Sequence, residues 1–268
     1  MILLLGGTSD AVDLSRLLVK EGLPLIFSMA TDLPVDLPES KLITVRRGRL
    51  DEAGMEALIR TSGSIALLDA THPYAEEVTR NAINVSRRLG IRYFRLTRDT
   101  VVQEGPDIIF ADSHQDAARK ALAAGGPILL TIGVRNINLY AWIRSEKSVR
   151  LIVRALPNPE SIRTLADNGI APGDMILGQG PFSYEDNIRV IKEFNVRTVV
   201  TKDSGSRGGV EEKVRAAQSQ GCKLIVVRRP AHEELQSFSD APEMVGAVRS
   251  YLTTTSSKRE GATPVTRL

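Results

Sequence analysis

Short apolar runs alternate with segments of helical periodicity along most of the chain. In the first half, runs of four or five residues predict strands at Ile2–Leu5, Leu25–Met29, Leu42–Val45, Ile65–Asp69 and Arg92–Leu96. Apolar side chains at helical spacing predict helices between several of these strands. One such helix, with its apolar stripe at Val78, Ala82 and Val85, ends before Gly90, and glycine is common just after the last turn of a helix.

The second half of the chain repeats this plan. Strands are predicted at Ile128–Thr131, Val149–Val153, Met175–Leu177, Thr198–Thr201 and Leu224–Val227. Helices are predicted at Ser113–Ala124, Glu160–Asn168, Ser183–Glu193, Gly209–Gln220 and Pro242–Leu252. Alternating strands and helices indicate parallel sheets with right-handed crossovers. The predicted fold class is therefore α/β, with two lobes that each contain a parallel sheet.

The length of 268 residues fits two domains of ordinary size. Turn-rich sequence over 97–126 predicts that the break between the lobes lies there. The predicted division is an N-terminal lobe at 1–110, a C-terminal lobe at 111–252 and a tail at 253–268. The tail is rich in threonine, serine and charged residues, and we expect it to be disordered.

Composition excludes several classes of function. The formal net charge is +3 and aromatic residues make up only 4% of the chain, so a nucleic-acid partner is not expected. No apolar run reaches the roughly 20 residues that span a bilayer, and a membrane partner is not expected either. The first residues lack the basic start and the length of a signal peptide. With a single cysteine, Cys222, the chain is expected to be cytoplasmic.

The first strand runs directly into Gly6-Gly7-Thr8-Ser9. Glycines allow the backbone to approach a phosphate closely, and Thr8, Ser9 or Asp10 can cap the helix that follows. The N-terminus of that helix offers N–H groups to a pyrophosphate. The G-x-G-x-x-G pattern is incomplete because Ser9 is not glycine. A dinucleotide site is predicted, and the alternative is a tight turn without a ligand.

The ends of the second and third strands bear on the choice of cofactor. An NAD site usually has an acidic residue at the end of the second strand, whereas Ser28 and Thr31 are neutral here. Arg49 follows Gly48 after the third strand, and a guanidinium there could pair with a 2′-phosphate. This favours NADPH, with NADH possible. The alternative is that the arginines of this turn are simply solvated.

The strand at Ile65–Asp69 is followed by Ala70-Thr71-His72-Pro73-Tyr74-Ala75. Open parallel sheets bind ligands at the carboxyl ends of their strands, and three side chains of this segment can form hydrogen bonds. Pro73 suits the first turn of the next helix. The segment has no second histidine or cysteine, so no metal site is predicted.

The strand at Thr198–Thr201 ends in Lys202-Asp203-Ser204-Gly205. The Lys202 and Asp203 pair could bind a substrate carboxylate and transfer a proton, and the alternative is an ordinary turn. Another turn carries Arg135 after the strand at Ile128–Thr131 and could bind an anion. The nucleophile elbow of hydrolases is absent around Ser204, which disfavours that class.

Three segments together resemble the precorrin-6A reductase family, which includes the cobalt-precorrin-6A reductases. They are Gly6-Gly7-Thr8, Asp69–Ala75 and Thr201–Gly205, with Leu130–Gly133 and Arg228–Pro230 as further similar positions. The resemblance extends from residue 1 to about residue 252, and the second and third segments are its specific part. Ile132 departs from the small polar residue that is common there in the family.

The resemblance implies reduction of (cobalt-)precorrin-6A to (cobalt-)precorrin-6B in cobalamin biosynthesis, with hydride transfer from a nicotinamide cofactor. It also implies two Rossmann-like lobes with the active site in the interlobe cleft. The strand-end turns agree with this, and the residues predicted to bind the cofactor are Gly6, Gly7, Thr8, Ser9, Ser28, Thr31, Gly48, Arg49, Thr71, His72, Pro73 and Tyr74. The predicted catalytic residues are Lys202 and Asp203, and the predicted substrate-binding residues are Arg135, Ser204 and Gly205.

The expected partner is a tetrapyrrole substrate, and the chain is expected to be a monomer or a small homo-oligomer. One alternative is another nucleotide-dependent reductase or epimerase. Many of those carry a Tyr-x-x-x-Lys pair, but Tyr74 is followed by Val78 and Tyr140 by Arg144. The second alternative is a non-catalytic NAD(P)-sensing Rossmann protein, which would leave the polar strand ends of the second lobe unexplained.

Overall fold

A computed structural model describes residues 1–31, 34–147, 149–205, 209–229 and 236–260. The chain divides into two compact units. Unit 1 comprises Met1–Arg98 and Ala231–Leu268, and unit 2 comprises Asp99–Pro230. Each unit contains a six-stranded parallel sheet, which confirms the predicted α/β class.

The strands of the described residues are β1 (Ile2–Leu5), β2 (Leu25–Met29), β3 (Ile43–Arg47), β4 (Ala66–Asp69), β5 (Arg92–Leu96), β6 (Ile108–Ala111), β7 (Ile128–Leu130), β8 (Leu151–Ala155), β9 (Met175–Leu177), β10 (Thr198–Lys202), β11 (Lys223–Val227) and β12 (Ser237–Phe238). The helices are α1 (Ser9–Lys20), α2 (Glu52–Ser62), α3 (Glu76–Leu89), α4 (His114–Ala124), α5 (Asn138–Ala141), α6 (Ile143–Lys147), α7 (Pro159–Asp167), α8 (Tyr184–Glu193), α9 (Val210–Ser219) and α10 (Ala241–Glu260). None of these helices is long and apolar enough to cross a membrane.

The sheet of unit 1 has the strand order β12-β5-β4-β1-β2-β3. Counted from β3, this is the 3-2-1-4-5-6 order of dinucleotide-binding folds, with β12 as the sixth strand. The order reverses between β1 and β4, which pair in parallel with Leu5 beside Asp69. Ligands bind at such a reversal, beyond the carboxyl ends of the strands. The turns that follow β1 and β4 therefore lie where a nucleotide site is expected.

Alternation along β1 explains how helices cover both faces of this sheet. Ile2 and Leu4 belong to one apolar cluster, whereas Leu3 and Leu5 belong to another. The first cluster is completed by buried side chains of α1 and α10, such as Leu14 and Val248. The second is completed by buried side chains of α2 and α3. Successive strand residues point to opposite faces, so β1 is apolar throughout.

The sheet of unit 2 has the strand order β6-β11-β10-β7-β8-β9. Its central part repeats the plan of unit 1, with the reversal between β7 and β10. The outer place beside β11 is taken by β6, which precedes the other strands of the unit in the chain. Buried residues of α8 and α9, including Val190 and Ala217, pack with Leu129 and Val199 of the sheet. The alanine-rich face of α4 is buried as well.

The division of the chain differs from the predicted lobe boundaries. The first change of unit falls after Arg98 rather than near residue 110, and residues after 230 return to unit 1. They return because β12 pairs with β5 and because Met244, Val245 and Val248 are buried in the same cluster as α1. The helix α10 continues to Glu260, so residues 253–260 are not a separate tail. Residues 261–268 lie outside the described residues.

Candidate functional site

The turn after β1 is shaped by its two glycines. A side chain at Gly6 would lie 2.5 Å from the ring of Phe27, and the backbone N–H of Gly6 donates to the carbonyl of Ser28 at 2.8 Å. Gly7 has a φ of 103°, which glycine adopts without strain. A Cβ atom at Gly7 would meet no atom within 4 Å. The chain is therefore tightly packed at Gly6 and open at Gly7.

Thr8 is the N-cap of α1 and also joins two strand ends. Its hydroxyl accepts from the N–H of Ala11 at 3.1 Å and donates to the carbonyl of Ala70 at 2.7 Å. Ser9 is the first residue of α1. Asp10, in the first turn, forms an ion pair with Arg98. The cap that the sequence left open among three residues is thus Thr8, and it ties the glycine turn to the turn after β4.

The ends of β2 and β3 lie side by side, with Ser28 opposite Arg46. Ser28 is buried and Thr31 is exposed. The guanidinium of Arg46 donates to the carbonyls of Gly48 and Arg49, so this arginine holds the turn itself. Arg49 is exposed in that turn. Asp32, which follows Thr31 in the chain, lies outside the described residues.

A buried network of side chains holds the turn after β4. Asp69 has no exposed surface and forms an ion pair with Arg95 of β5. Its carboxylate accepts from the N–H and hydroxyl of Thr71 at 2.9 and 2.7 Å. It also accepts from the hydroxyls of Thr79 and Tyr93 at 2.8 and 2.9 Å. Burial, together with the charge of Asp69, raises the pKa of Tyr93, so Tyr93 keeps its proton and remains a donor.

His72, Pro73 and Tyr74 are half-buried beyond this network. The N–H of Tyr74 donates to Nδ1 of His72 at 3.3 Å, and the two rings lie 5.8 Å apart. The helix α3 begins only at Glu76. Pro73 therefore lies in the turn before the helix and not in its first turn.

Asp203, which follows β10, has partners from several parts of unit 2. The side chain is buried, with 5% exposed, and pairs with Arg229 at 3.2 Å. Its oxygens accept from the N–H groups of Val101, Val102 and Gly205 at 3.2, 3.3 and 3.2 Å. The carboxylate thus anchors two chain segments and an arginine.

Lys202 precedes Asp203 at the end of β10. Burial lowers the pKa of Lys202 to about 8, and the charge of Arg135 adds to the effect. Arg135 is exposed in the turn after β7. The hydroxyl of Thr131 donates to the carbonyl of Val200 at 3.0 Å, which holds the ends of β7 and β10 together. The structure thus brings Lys202 and Arg135 into one electrostatic neighbourhood.

The rest of the turn after β10 is only partly described. The N–H of Ser204 donates to the carbonyl of Lys202 at 2.9 Å, and the Ser204 side chain is mostly buried. Gly205 has a φ of 78°, a conformation that favours glycine. Residues 206–208 lie outside the described residues.

Sequence reasoning missed two arginines that lie inside apolar strands. Arg95 occurs in Arg-Tyr-Phe-Arg-Leu and Arg154 in Leu-Ile-Val-Arg-Ala, and both are 5% exposed. A charged residue within a buried strand needs a partner. That signal was available from the sequence, although the partners themselves were not.

Comparisons with known proteins agree on one family. The model of the family described as "Precorrin-6x reductase CbiJ/CobK" matches residues 1–249. The cobalt-precorrin-6A reductase of Priestia megaterium is 32% identical over 250 residues, which cover 92% of this chain and 98% of that protein. The precorrin-6A reductase of Rhodococcus erythropolis is 30% identical over 255 residues, which cover 92% and 98%.

The same pattern extends to an archaeal relative and to a solved structure. The cobalt-precorrin-6A reductase of Methanothermobacter thermautotrophicus is 34% identical over 240 residues, covering 85% of this chain and 76% of that protein. A solved structure titled "CobK precorrin-6A reductase" superposes with a TM-score of 0.76 at 23% identity, covering 93% of this chain and 96% of that chain. The latter comparison supports the fold.

Proposed function

Because the chain belongs to the precorrin-6x reductase family, it is an oxidoreductase of cobalamin biosynthesis, and we propose that it reduces (cobalt-)precorrin-6A to (cobalt-)precorrin-6B with NADPH. The observation that carries the proposal is the family match across both units. It includes the open turn at Gly7 and the strand end at Lys202. Reduction adds a hydride and a proton to the conjugated macrocycle.

The turn after β1 fits a dinucleotide. Gly7 leaves its outer side open, and the first N–H groups of α1 can donate to a pyrophosphate. In this proposal Gly6, Gly7, Thr8 and Ser9 hold the phosphates, while Thr71, His72, Pro73 and Tyr74 line the neighbouring strand end. When bound, the nicotinamide supplies the hydride. The role of the chain is to fix its position and to exclude water.

NADPH is proposed over NADH because of the ends of β2 and β3. Ser28 presents no carboxylate to a ribose hydroxyl, and Arg49 is exposed in the turn with Gly48. Thr31 offers a neutral hydroxyl nearby along the chain. Arg46 is occupied by backbone carbonyls, so Arg49 is the proposed contact for a 2′-phosphate. The ratio of kcat/KM for NADPH to that for NADH, compared between the native chain and Arg49→Gln, tests this choice.

On the substrate side, we propose that Lys202 donates the proton or holds a carboxylate of the macrocycle. With a pKa of about 8, its ammonium group is charged at neutral pH and gives up a proton more readily than an exposed lysine. Arg135, Ser204 and Gly205 are proposed substrate contacts. Asp203 acts as a positioning residue in this proposal, because its oxygens anchor the segment that follows β10.

We also propose that the chain acts in the cytoplasm, as a monomer or a small homo-oligomer. The buried, unpaired Cys222 fits a reducing compartment.

The test of the function is oxidation of NADPH by the purified chain under anaerobic conditions. Relatives named for the cobalt-bearing and the metal-free substrates align over equal shares of this chain. Both forms of the macrocycle are therefore tested as substrates in the assay. We expect oxidation that depends on added macrocycle. Tight binding of NADPH without oxidation in the presence of either form would instead favour a nucleotide sensor.

A further inference from the structure

Arg154 of β8 is a buried cation with an incomplete set of partners. Its Nη1 donates to Oδ1 of Asn187 at 2.7 Å, and its guanidinium carbon lies 4.1 Å from the centre of the Phe182 ring. Its Nε and Nη2 atoms are buried and have no hydrogen-bond partner in the part of the chain that the structure describes. A buried charged group without partners is unfavourable, so these two atoms call for an explanation.

The two unpartnered atoms are on the same edge of the guanidinium. Nε and Nη2 donate in parallel along that edge, which matches the two oxygens of a carboxylate. Asn187 and Phe182 hold the opposite edge and one face, and they fix the orientation of the group. Arg154 is thus held as a preformed bidentate donor.

A second cation, Lys213 of α9, lies in the same neighbourhood. Its Nζ donates to the hydroxyl of Thr201 at 3.2 Å. Burial is the largest cause that lowers the pKa of Lys213 to about 8, and the charges of Arg154 and Lys202 lower it further. Arg154 and Lys202 therefore each repel Lys213, and a bound anion would relieve the repulsion.

Two carboxylates act on this group of cations without neutralising it. Asp186 favours the charged form of Arg154, and Glu212 favours that of Lys213. Asp186 is already engaged, since it accepts from Ser183 in the capping box of α8 and from Arg189 at 2.6 Å. Neither carboxylate provides an acceptor for Nε or Nη2 of Arg154, which have no hydrogen-bond partner among the described residues.

The three cations also share one end of the sheet of unit 2. Arg154 is the fourth of five residues in β8, Lys202 is the last residue of β10, and Lys213 lies in the first turns of α9. The N-cap of α9, Gly209, provides no side-chain cap. Carboxyl ends of parallel strands and the N-terminus of a helix are both places where anions bind.

We propose that Arg154, Lys213 and Lys202 form a subsite for one carboxylate of the tetrapyrrole substrate, with Nε and Nη2 of Arg154 as the bidentate contact. This inference rests on the proposed function for the identity of the substrate. It assigns Arg154 and Lys213 to substrate binding, and it leaves the cofactor to unit 1.

The first test compares Michaelis constants in the full-length enzyme. Lys213→Gln and Arg154→Met should each raise the KM for the macrocycle about tenfold or more, with the KM for NADPH changed by less than about twofold. The matched controls are Lys223→Gln and Arg150→Gln, because both cations are exposed and paired with acids, Asp107 and Asp174. The controls should change neither constant.

Two results would overturn the proposal. If Lys213→Gln raised the KM for NADPH and spared that for the macrocycle, the cations would serve a phosphate of the cofactor. If both constants stayed at their native values, the cations would serve no ligand of the reaction. Circular dichroism of each variant verifies folding. If Arg154→Met fails to fold, the Michaelis constants of Lys213→Gln alone test the proposal.

A second test does not depend on turnover, and it therefore still tests the subsite if the enzyme reduces no macrocycle. Succinate supplies carboxylates without a ring, and a ligand that binds the native state raises the Tm. At equal ionic strength, succinate should raise the Tm of the native chain and of Lys223→Gln more than sodium chloride does. The difference should vanish in Lys213→Gln. Equal effects of the two salts on the native chain would overturn the subsite, whereas a succinate effect without turnover would overturn only the proposed function.

Discussion

Arg95 in unit 1 and Arg154 in unit 2 occupy equivalent places in similar sheets, but their guanidinium groups have different partners. Each is the fourth of five residues in its strand, and each is 5% exposed. Arg95 meets the buried carboxylate of Asp69 and the hydroxyls of Thr71 and Thr79. In the part of the chain that the structure describes, Arg154 donates one hydrogen bond, to Asn187, and lies over the ring of Phe182.

This difference indicates that Arg95 is part of the scaffold of unit 1, whereas Arg154 is the proposed binding group of unit 2. In unit 1 the charge of the arginine is balanced within the unit, and the balanced pair fixes the turn that carries Thr71. In unit 2 the charge is left for a ligand to balance. Buried charges are tolerated when they are paired, so the unpaired one is the better indicator of a site.

The largest expected effect comes from the same substitution made in the two strands. Arg95→Met leaves Asp69 buried and unpaired, and should lower the free energy of unfolding by about 3–5 kcal/mol. Arg154→Met removes a buried charge that forms no ion pair among the described residues and is favoured only by the electrostatic effect of Asp186, and it should leave stability unchanged or raise it. Urea unfolding followed by circular dichroism measures both. Equal losses in the two variants would remove the distinction between scaffold and binding group.

The next effect concerns Asp203, whose role lies on the boundary between structure and catalysis. Asp203→Ala removes the carboxylate that pairs with Arg229 and that accepts from the N–H groups of Val101 and Val102, and should lower the free energy of unfolding by about 2 kcal/mol. Trp142, the single tryptophan, lies in unit 2 and reports its unfolding. Asp203→Asn keeps one acceptor oxygen and should recover part of the loss. A variant of native stability without turnover would mean that the carboxylate takes part in the reaction.

A smaller effect is expected at Gly7. Gly7→Ala introduces a side chain at a φ of 103° and on the open side of the turn, so the KM for NADPH should rise about tenfold. Gly22→Ala is the matched control, because Gly22 has a φ of 70° and equally open surroundings but lies after the far end of α1. It should lose stability and keep the native KM. A rise in the KM for NADPH in the control would show that strain alone is responsible.

The smallest effect is a dependence on pH. The pKa values of Lys202 and Lys213 are lowered to about 8, so both groups are charged below pH 8 and lose their protons above it. Arg135 acts on Lys202, and Arg154 and Glu212 act on Lys213. Burial and the charge of Lys202 lower the pKa of His114 to about 4, which keeps that ring neutral. The KM for the macrocycle should therefore rise several-fold above pH 8.

The KM for NADPH should change less over the same range of pH, because both lysines are assigned to the macrocycle. In Lys213→Gln the rise for the macrocycle should be weaker. A KM for the macrocycle that stays constant from pH 7 to pH 9 would contradict a role for the two lysines.

The sequence was sufficient to predict the class of fold and the positions of the strand-end turns. Continuous apolar runs define β1 and β2, and the glycines after β1 mark a turn whatever its ligand. Two of the four outer strands were missed, because β12 has two residues and β6 is only partly buried. The return of α10 to unit 1 depends on packing between distant segments, which local patterns do not contain.

The partners of the buried arginines could not be predicted for the same reason. Asp69 and Arg95 are 26 residues apart and meet because β4 pairs with β5. The lack of a partner for Nε and Nη2 of Arg154 among the described residues becomes visible only in the folded structure. Asp203 was expected to be catalytic because it follows Lys202, but its contacts with Val101 and Arg229 emerge only from the fold.

The central claim is that unit 1 binds the nicotinamide cofactor and that unit 2 binds the macrocycle. The most direct measurement is the pair of Michaelis constants, for NADPH and for the macrocycle, in Gly7→Ala and in Lys213→Gln. Gly7→Ala should raise only the KM for NADPH, and Lys213→Gln should raise only the KM for the macrocycle. If both variants raised the same constant, the assignment of one ligand to each unit would be wrong.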